Sequence, residues 1–234
     1  MNSIDNLDMK EYKEQLEYYK KYYGSEFKKN QGTEYLLDVI NSNIKEGTLI
    51  DFGSGSNIYF WLLAMNKIKN VTCVDISKEA FYINREIKDG HLYPRSYDYP
   101  IYKYNKILKE VFEIPIDYII FDVLKNDISE DLEDATYDNV TQFGLLGLCK
   151  NKEEYIKNFQ KLWQCLKTNG TFVGANWLFS KKYSIEKGYS NEYLSISLIK
   201  ELANILNAKI NYLNLIPIEK DENYDYVLIY SLNK

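Results

Sequence analysis

The stretch Gly47-Thr-Leu-Ile-Asp-Phe-Gly-Ser-Gly-Ser-Asn57 decides how the rest of the chain is read. Thr48, Leu49 and Ile50 suit a buried strand. Gly53 and Gly55 then allow the positive φ angles and close backbone approach that a side chain forbids, and Asn57 suits the cap of a following helix. Such a helix start presents free N–H groups. A second short strand, Val71-Thr-Cys-Val-Asp75, ends in a carboxylate 20 residues after Gly55, the distance at which a βαβ unit delivers an acid to a ribose. The pair points to an adenosine-containing ligand.

What is missing narrows that ligand. A G-x-G-x-x-G fingerprint wants a third glycine where this chain has Ile58, so a nicotinamide dinucleotide is disfavoured. No G-x-x-x-x-G-K-[ST] occurs either, which removes a phosphate cradle of the P-loop kind. A glycine turn in some other α/β protein remains the alternative reading.

The 234 residues show no composition shift and no Pro/Gly/Ser linker, so one domain over 1–234 is expected. A formal charge of −5 argues against a surface that tracks nucleic-acid phosphates and favours a small-molecule partner. The three cysteines, Cys73, Cys149 and Cys165, have neither metal nor redox spacing; with no secretion signal, they fit a reducing cytoplasm and no metal site. No apolar run reaches membrane-spanning length, so a soluble protein is expected; a monomer or weak homodimer is the expected assembly. The 23 tyrosines exceed what a core of this size needs.

Ahead of the glycine turn, Leu7, Tyr12, Leu16, Tyr19 and Tyr23 fall at near-helical spacing and predict an amphipathic helix over 5–23. It packs on the sheet as scaffold or, through Tyr18-Tyr-Lys-Lys-Tyr-Tyr23, closes as a lid of ring faces over a bound cation. Further helices are predicted over 33–46, 57–67, 77–88 (capped by Ser77), 102–112, 152–167 (stopped by Gly170) and 192–206, with loops at 89–100, which holds the lone His91, and at 180–190. Strands are predicted at 116–121, 137–144, 171–177, 209–215 and 224–230. The alternation implies a mostly parallel seven-stranded α/β sheet closed by an antiparallel edge.

Read together, the segments resemble the class I S-adenosylmethionine-dependent methyltransferases with their Rossmann-like fold. Asp51-Phe-Gly-Ser-Gly looks like the first motif of that class, with its acid two residues before the first glycine. Within it, Tyr18-Tyr-Lys-Lys-Tyr-Tyr23, Leu49-Ile-Asp-Phe-Gly-Ser-Gly-Ser-Asn-Ile-Tyr59, Val74-Asp-Ile-Ser77 and Phe121-Asp-Val123 are similar to the nicotinamide, phenylethanolamine, indolethylamine and thioether methyltransferase family. That resemblance implies an N-terminal helical lid over 1–30 on a core over 31–234. By position it implies Tyr23 beside the methionine part of S-adenosylmethionine and Tyr18 nearer the acceptor. Gly53, Ser54 and Gly55 pass the methionine end, and Asn57 and Tyr59 contact its polar groups. Asp75 accepts both ribose hydroxyls and Ile76 flanks the adenine; Asp122 takes the adenine amino group while Val123 offers its N–H, and Phe143 lines the wall. Asn176, Ser180 and Tyr183 fall at acceptor-positioning places. Asn176 and Trp177 depart from the nicotinamide enzyme, which has an aspartate and a small residue there, and residues 89–112 align poorly.

With one histidine in the chain, transfer to a nitrogen of a small molecule, which carries its own lone pair, is favoured over histidine-assisted O-methylation. O- or S-methylation, and a non-catalytic S-adenosylmethionine-binding protein, stay as alternatives. Transfer to DNA or protein glutamine would call for a proline-containing loop, and Thr141-Gln-Phe-Gly144 has none.

Overall fold

The computed structural model describes residues 7–128, Leu132 and 136–234; residues 5 and 6 of the predicted first helix lie outside the described residues. Strands β1 (Gly47–Phe52), β2 (Ile68–Asp75), β3 (Ile116–Ile120), β4 (Tyr137–Phe143), β5 (Leu166–Phe179), β6 (Lys209–Pro217) and β7 (Tyr224–Asn233) form one sheet in the order β3-β2-β1-β4-β5-β7-β6. β1 to β5 pair in parallel, and β7 runs antiparallel to both β5 and β6. The closing pair therefore forms the expected antiparallel edge, with β7 inserted inside it and β6 outermost.

The helices are α1 (Met9–Tyr22), α2 (Thr33–Asn43), α3 (Ile58–Leu62), α4 (Lys78–Lys88), α5 (Asp98–Tyr104), α6 (Leu108–Phe112), α7 (Lys152–Gln164), α8 (Lys181–Lys187) and α9 (Ile196–Ile205). They cover both faces of the sheet because adjacent strand residues point to opposite sides. Leu49 enters one core with Tyr19, Leu36, Ile40 and Phe60, while Ile50 and Phe52 enter the other with Phe159, Leu162, Phe172 and Leu198. Side-chain caps start the helices: Asp8 accepts from Lys10 and Glu11, Ser77 from Ala80, Asn151 from Glu154 and Ser195 from Leu198.

Several sequence expectations change. The helix predicted over 57–67 shrinks to α3, because residues 58 to 65 are all buried and no polar face exists to run an amphipathic helix past Leu62. Asn57 precedes it without a side-chain cap. Gly170 does not stop α7, which ends at Gln164; the glycine lies within the long β5, just after Asn169 at φ 65°. The 102–112 helix is two pieces, α5 and α6, split at Asn105, whose φ is 51°. The predicted loop at 180–190 contains α8, capped by Ser180, and the 89–100 loop contains a 3-10 turn at Arg95–Tyr97.

Candidate cofactor site and its mouth

A cavity of about 550 Å³ opens over the C-terminal ends of β1, β2 and β4, the position where open α/β sheets collect ligands. Its floor is the turn after β1. Gly53 has φ 68°, and a Cβ there would stand 2.8 Å from the Leu145 Cβ; Gly55 has φ 55°. Both values lie in the left-handed region that favours glycine.

Asp75 closes on this turn. Its Oδ2 accepts the Gly55 N–H at 2.9 Å and its Oδ1 accepts the Ser77 N–H at 2.9 Å, with the remaining acceptor capacity on the cavity wall. Burial raises its pKa, and the N–H groups of Ser77, Gly55 and Ile76 oppose that rise. Asp51, 1% exposed, accepts the Thr141 hydroxyl at 2.7 Å. Burial pushes it up to about 7; the Thr141 hydrogen bond works against this and the charge of Asp75 adds to it. At the far end, Ile76, Phe121, Asp122, Val123 and Leu124 form the wall. Burial alone would raise Asp122, but Lys125, 3.0 Å away, together with the Lys125 and Leu124 N–H groups, holds it below the usual carboxylate range.

Helix α1 presents two stripes. Tyr12, Leu16 and Tyr19 face the core, followed by Tyr23, whereas Glu11, Glu14, Gln15, Tyr18 and Tyr22 line the cavity. The end of α1 is tied down at three places. With the Asn57 amide set by its hydrogen-bond network, the oxygen accepts from the Tyr23 hydroxyl at 2.5 Å and from Trp61 Nε1 at 2.9 Å, while the nitrogen donates to the Ser54 carbonyl at 3.0 Å. The Tyr23 carbonyl accepts from Ser96 Oγ at 2.7 Å and from Ser96 N at 3.2 Å. Phe27, just beyond, stacks on Tyr99 with centroids 4.0 Å apart. Residues 89–112, which align poorly with the resembled family, thus supply the seat on which the end of α1 rests.

Of the residues singled out from sequence, Tyr18, Tyr23, Gly53, Gly55, Asn57, Asp75, Ile76, Asp122, Val123 and Phe143 meet in this one cavity. Others fall elsewhere. Tyr59 is 2% exposed, packs edge-on to Phe112 at 4.8 Å and bonds Tyr118, so it does not reach the ligand space. Ser54 turns its side chain inward beside Cys73. Asn176 is fully buried on the opposite face of β5 from Trp177: its amide exchanges hydrogen bonds with Gln142 at 3.2 and 3.3 Å, and its oxygen accepts from Tyr155 at 2.9 Å. The strand's period of two carries Asn176 away from the cavity and Trp177 into it. Ser180 caps α8 and donates to the Glu222 carbonyl at 2.7 Å. Tyr183 stands behind the mouth, its ring 5.1 Å from Phe179 and 5.6 Å from Tyr224. His91 is exposed beside Glu86 at 3.4 Å, outside the cavity.

Sequence reasoning missed Asp51, Trp61, Leu145, Trp177, Phe179, Asp221 and Tyr224 as lining residues. A buried acid at a strand end was the available signal for Asp51. Asp221 comes from the β6–β7 connection and Tyr224 is the first residue of β7, and only the insertion of β7 beside β5 brings them here. Among the described residues, no group of His, Cys, Asp and Glu could hold a metal, and no helix is long and apolar enough to cross a membrane.

No protein-family model matches the chain, and no curated protein sequence does. Solved structures match in fold. The N-methyltransferase NodS from Bradyrhizobium japonicum, solved with S-adenosyl-L-homocysteine, aligns at TM-score 0.53 and 11% identity over 85% of this chain and 83% of its own. The methyltransferase solved with the Haloferax volcanii activator Trm112 aligns at TM-score 0.56 and 12% identity over 94% and 93%. A SAM-dependent methyltransferase from Aquifex aeolicus aligns at TM-score 0.53 and 14% identity over 97% and 99%. The sheet order and these alignments define the chain as a single α/β domain with the Rossmann-like fold of class I S-adenosylmethionine-dependent methyltransferases.

Proposed function

We propose that this chain is an S-adenosylmethionine-dependent methyltransferase that transfers a methyl group to a nitrogen of a small molecule and releases S-adenosylhomocysteine. The observation that carries the reading is the charge of the cavity: Glu11, Glu14, Asp51, Asp75, Asp122 and Asp221 line it against a single basic residue, Lys28. Such a lining suits a ligand with cationic groups and disfavours an acceptor of net negative charge.

The cofactor fits the residues present. Asp75 retains acceptor capacity toward the cavity for ribose hydroxyls, the volume lies within the range of ordinary ligand sites, and Ile76 and Val123 give the adenine end apolar contact. S-adenosylmethionine supplies a methyl group on a positively charged sulfur; the chain supplies alignment and the exclusion of water. Tyr18, Tyr22 and Phe143 offer ring faces at the reacting end, where a cation gains from aromatic quadrupoles. Trp177, Phe179 and Tyr224 wall the acceptor side. Transfer to a neutral amine needs no strong base, and holding two centres in line is worth as much as ~7 to 11 kcal/mol in favourable cases. In this reading α1 is a lid, and the motif likeness to amine N-methyltransferases supports nitrogen as the target atom.

Calorimetry with S-adenosylmethionine and S-adenosylhomocysteine tests the first half, and methyl transfer from labelled cofactor to panels of amines, phenols, thiols and carboxylates tests the second. Turnover confined to the amine panel is expected. A protein that binds neither cofactor form, or that prefers anionic acceptors, would sink the proposal.

A further inference from the structure

Lys161 lies on α7, outside the cavity, and is 8% exposed. Its ammonium donates to the Val123 carbonyl at 2.7 Å and to the Asn126 carbonyl at 2.7 Å, and Asp127 Oδ1 stands 3.9 Å away. Burying an ammonium is costly unless its protons find partners, and a leucine or methionine would fill the same space beside Leu162 at no such cost. The cation is therefore explained by what it holds rather than by what it fills.

What it holds is the turn 123–126, which has no helix or strand ladder of its own. In a trans peptide the C=O and the following N–H point in opposite directions. With the Val123 oxygen drawn toward Lys161, the Leu124 N–H faces the other way, toward the Asp122 carboxylate whose pKa it helps to lower. Lys125 N adds a bond to Asp122 Oδ1 at 3.2 Å, and Asn126 N bonds the Asp122 carbonyl at 3.0 Å. Of the two oxygens that Lys161 grips, that of Val123 belongs to the peptide whose N–H, that of Leu124, turns toward Asp122, and that of Asn126 fixes the far end of the turn, where Asn126 N bonds the Asp122 carbonyl. Phe121, Asp122, Val123 and Leu124 all line the cavity.

We infer that Lys161 is a positioning residue of the adenine end, holding the turn 123–126 in the shape that presents Asp122 and Val123 to the base. The inference rests on the cofactor reading above and goes beyond it by assigning specificity for the exocyclic amino group to a side chain that never touches the ligand.

The test compares wild type, Lys161→Met and Lys161→Gln by calorimetry with S-adenosylhomocysteine and with S-inosylhomocysteine, in which a carbonyl replaces the amino group. Wild type is expected to prefer the amino form. Lys161→Met is expected to lose about tenfold or more of its affinity for the amino form while binding the inosine form nearly as before, so that the preference collapses; Lys161→Gln, which keeps one donor group, falls between. An unchanged preference, or equal loss for both ligands, would overturn the assignment. If Lys161→Met fails to fold, Lys161→Gln answers the same question. Amide hydrogen exchange at residues 122–126 is read without ligand: faster exchange in the variants confined to this turn supports the role, and unchanged exchange removes it. Wild type that binds neither ligand would mark a failure of the cofactor reading, which leaves the exchange result to decide on Lys161 alone.

Discussion

The Oδ2 atom of Asp75 accepts the backbone N–H of Gly55 at 2.9 Å, so the acid that ends β2 closes directly on the glycine turn that ends β1. One carboxylate thereby shapes the turn and faces the ligand space. Asp75→Ala is expected to weaken S-adenosylmethionine binding tenfold or more, because hydrogen bonds to a charged group are worth about 1.5 to 3 kcal/mol. The Gly55 and Ser77 N–H groups also lose their acceptor, so the melting temperature should fall as well. Asp75→Asn, which keeps an acceptor, should recover part of the melting temperature but less of the affinity. Calorimetry and thermal denaturation together read both effects, and an unchanged affinity would remove the ribose assignment.

Asp51 makes stability depend on pH in an unusual direction. Its folded-state pKa is raised from 3.8 to about 7, so the folded protein binds more protons than the unfolded chain between those values. Stability is expected to be greatest near the lower value, to fall as pH rises through the window, and to level off above about 7. Asp51→Asn should flatten this part of the profile, as read from urea denaturation at several pH values. A cationic cofactor should draw Asp51 toward its charged form, so binding is expected to release protons and to tighten as pH approaches 7 from below. Calorimetry in buffers of different ionisation enthalpy counts those protons, and a count of zero would place the positive charge elsewhere.

Tyr18 separates a lid from a scaffold. It is 51% exposed, whereas Tyr19, one residue on, is 2% exposed. Tyr18→Ala is expected to change stability by no more than about 0.5 kcal/mol, as exposed substitutions usually do, while turnover falls more than tenfold. Tyr19→Ala should instead cost about 3 to 5 kcal/mol, as an aromatic core truncation does. Unchanged turnover in Tyr18→Ala would return the helix to scaffold.

Gly53 and Gly55 differ in what surrounds them. Alanine at either position meets the left-handed backbone penalty, about 1 kcal/mol or somewhat more. Gly53→Ala also drives a Cβ to 2.8 Å from the Leu145 Cβ, whereas at Gly55 the nearest atom belongs to the Asn57 side-chain amide, at 3.2 Å. Chemical denaturation should therefore rank Gly53→Ala as the more destabilising. Equal losses would show that Leu145 moves freely.

The linear sequence by itself determined the chain's main elements and the glycine turn and acid on which the candidate site is built. The apolar strand, the Gly-Ser-Gly turn and an acid 20 residues beyond Gly55 are local in sequence, and a βαβ unit must bring such a pair together whatever the rest of the fold does. The alternation of elements likewise implied a mostly parallel sheet. Tertiary structure decided what depends on partners distant in sequence. The place of β7 between β5 and β6 is set by long-range pairing, and it carries Asp221 and Tyr224 to the mouth. Asn176 and Trp177 are neighbours with equal claims until the pleat of β5 sends one to the Gln142 and Tyr155 network and the other to the cavity. Tyr59 sits in the motif but is buried against Phe112 and Tyr118, partners distant in sequence, and does not line the cavity. Lys161 reads as a solvated residue on an amphipathic helix, and only the approach of the turn 123–126, on the same face of the sheet but distant in sequence, makes it a buried cation with two carbonyl partners. Local spacing encodes which backbone turns form; burial and side-chain direction are properties of the packed chain, where solvent is excluded and each polar group must find its partner.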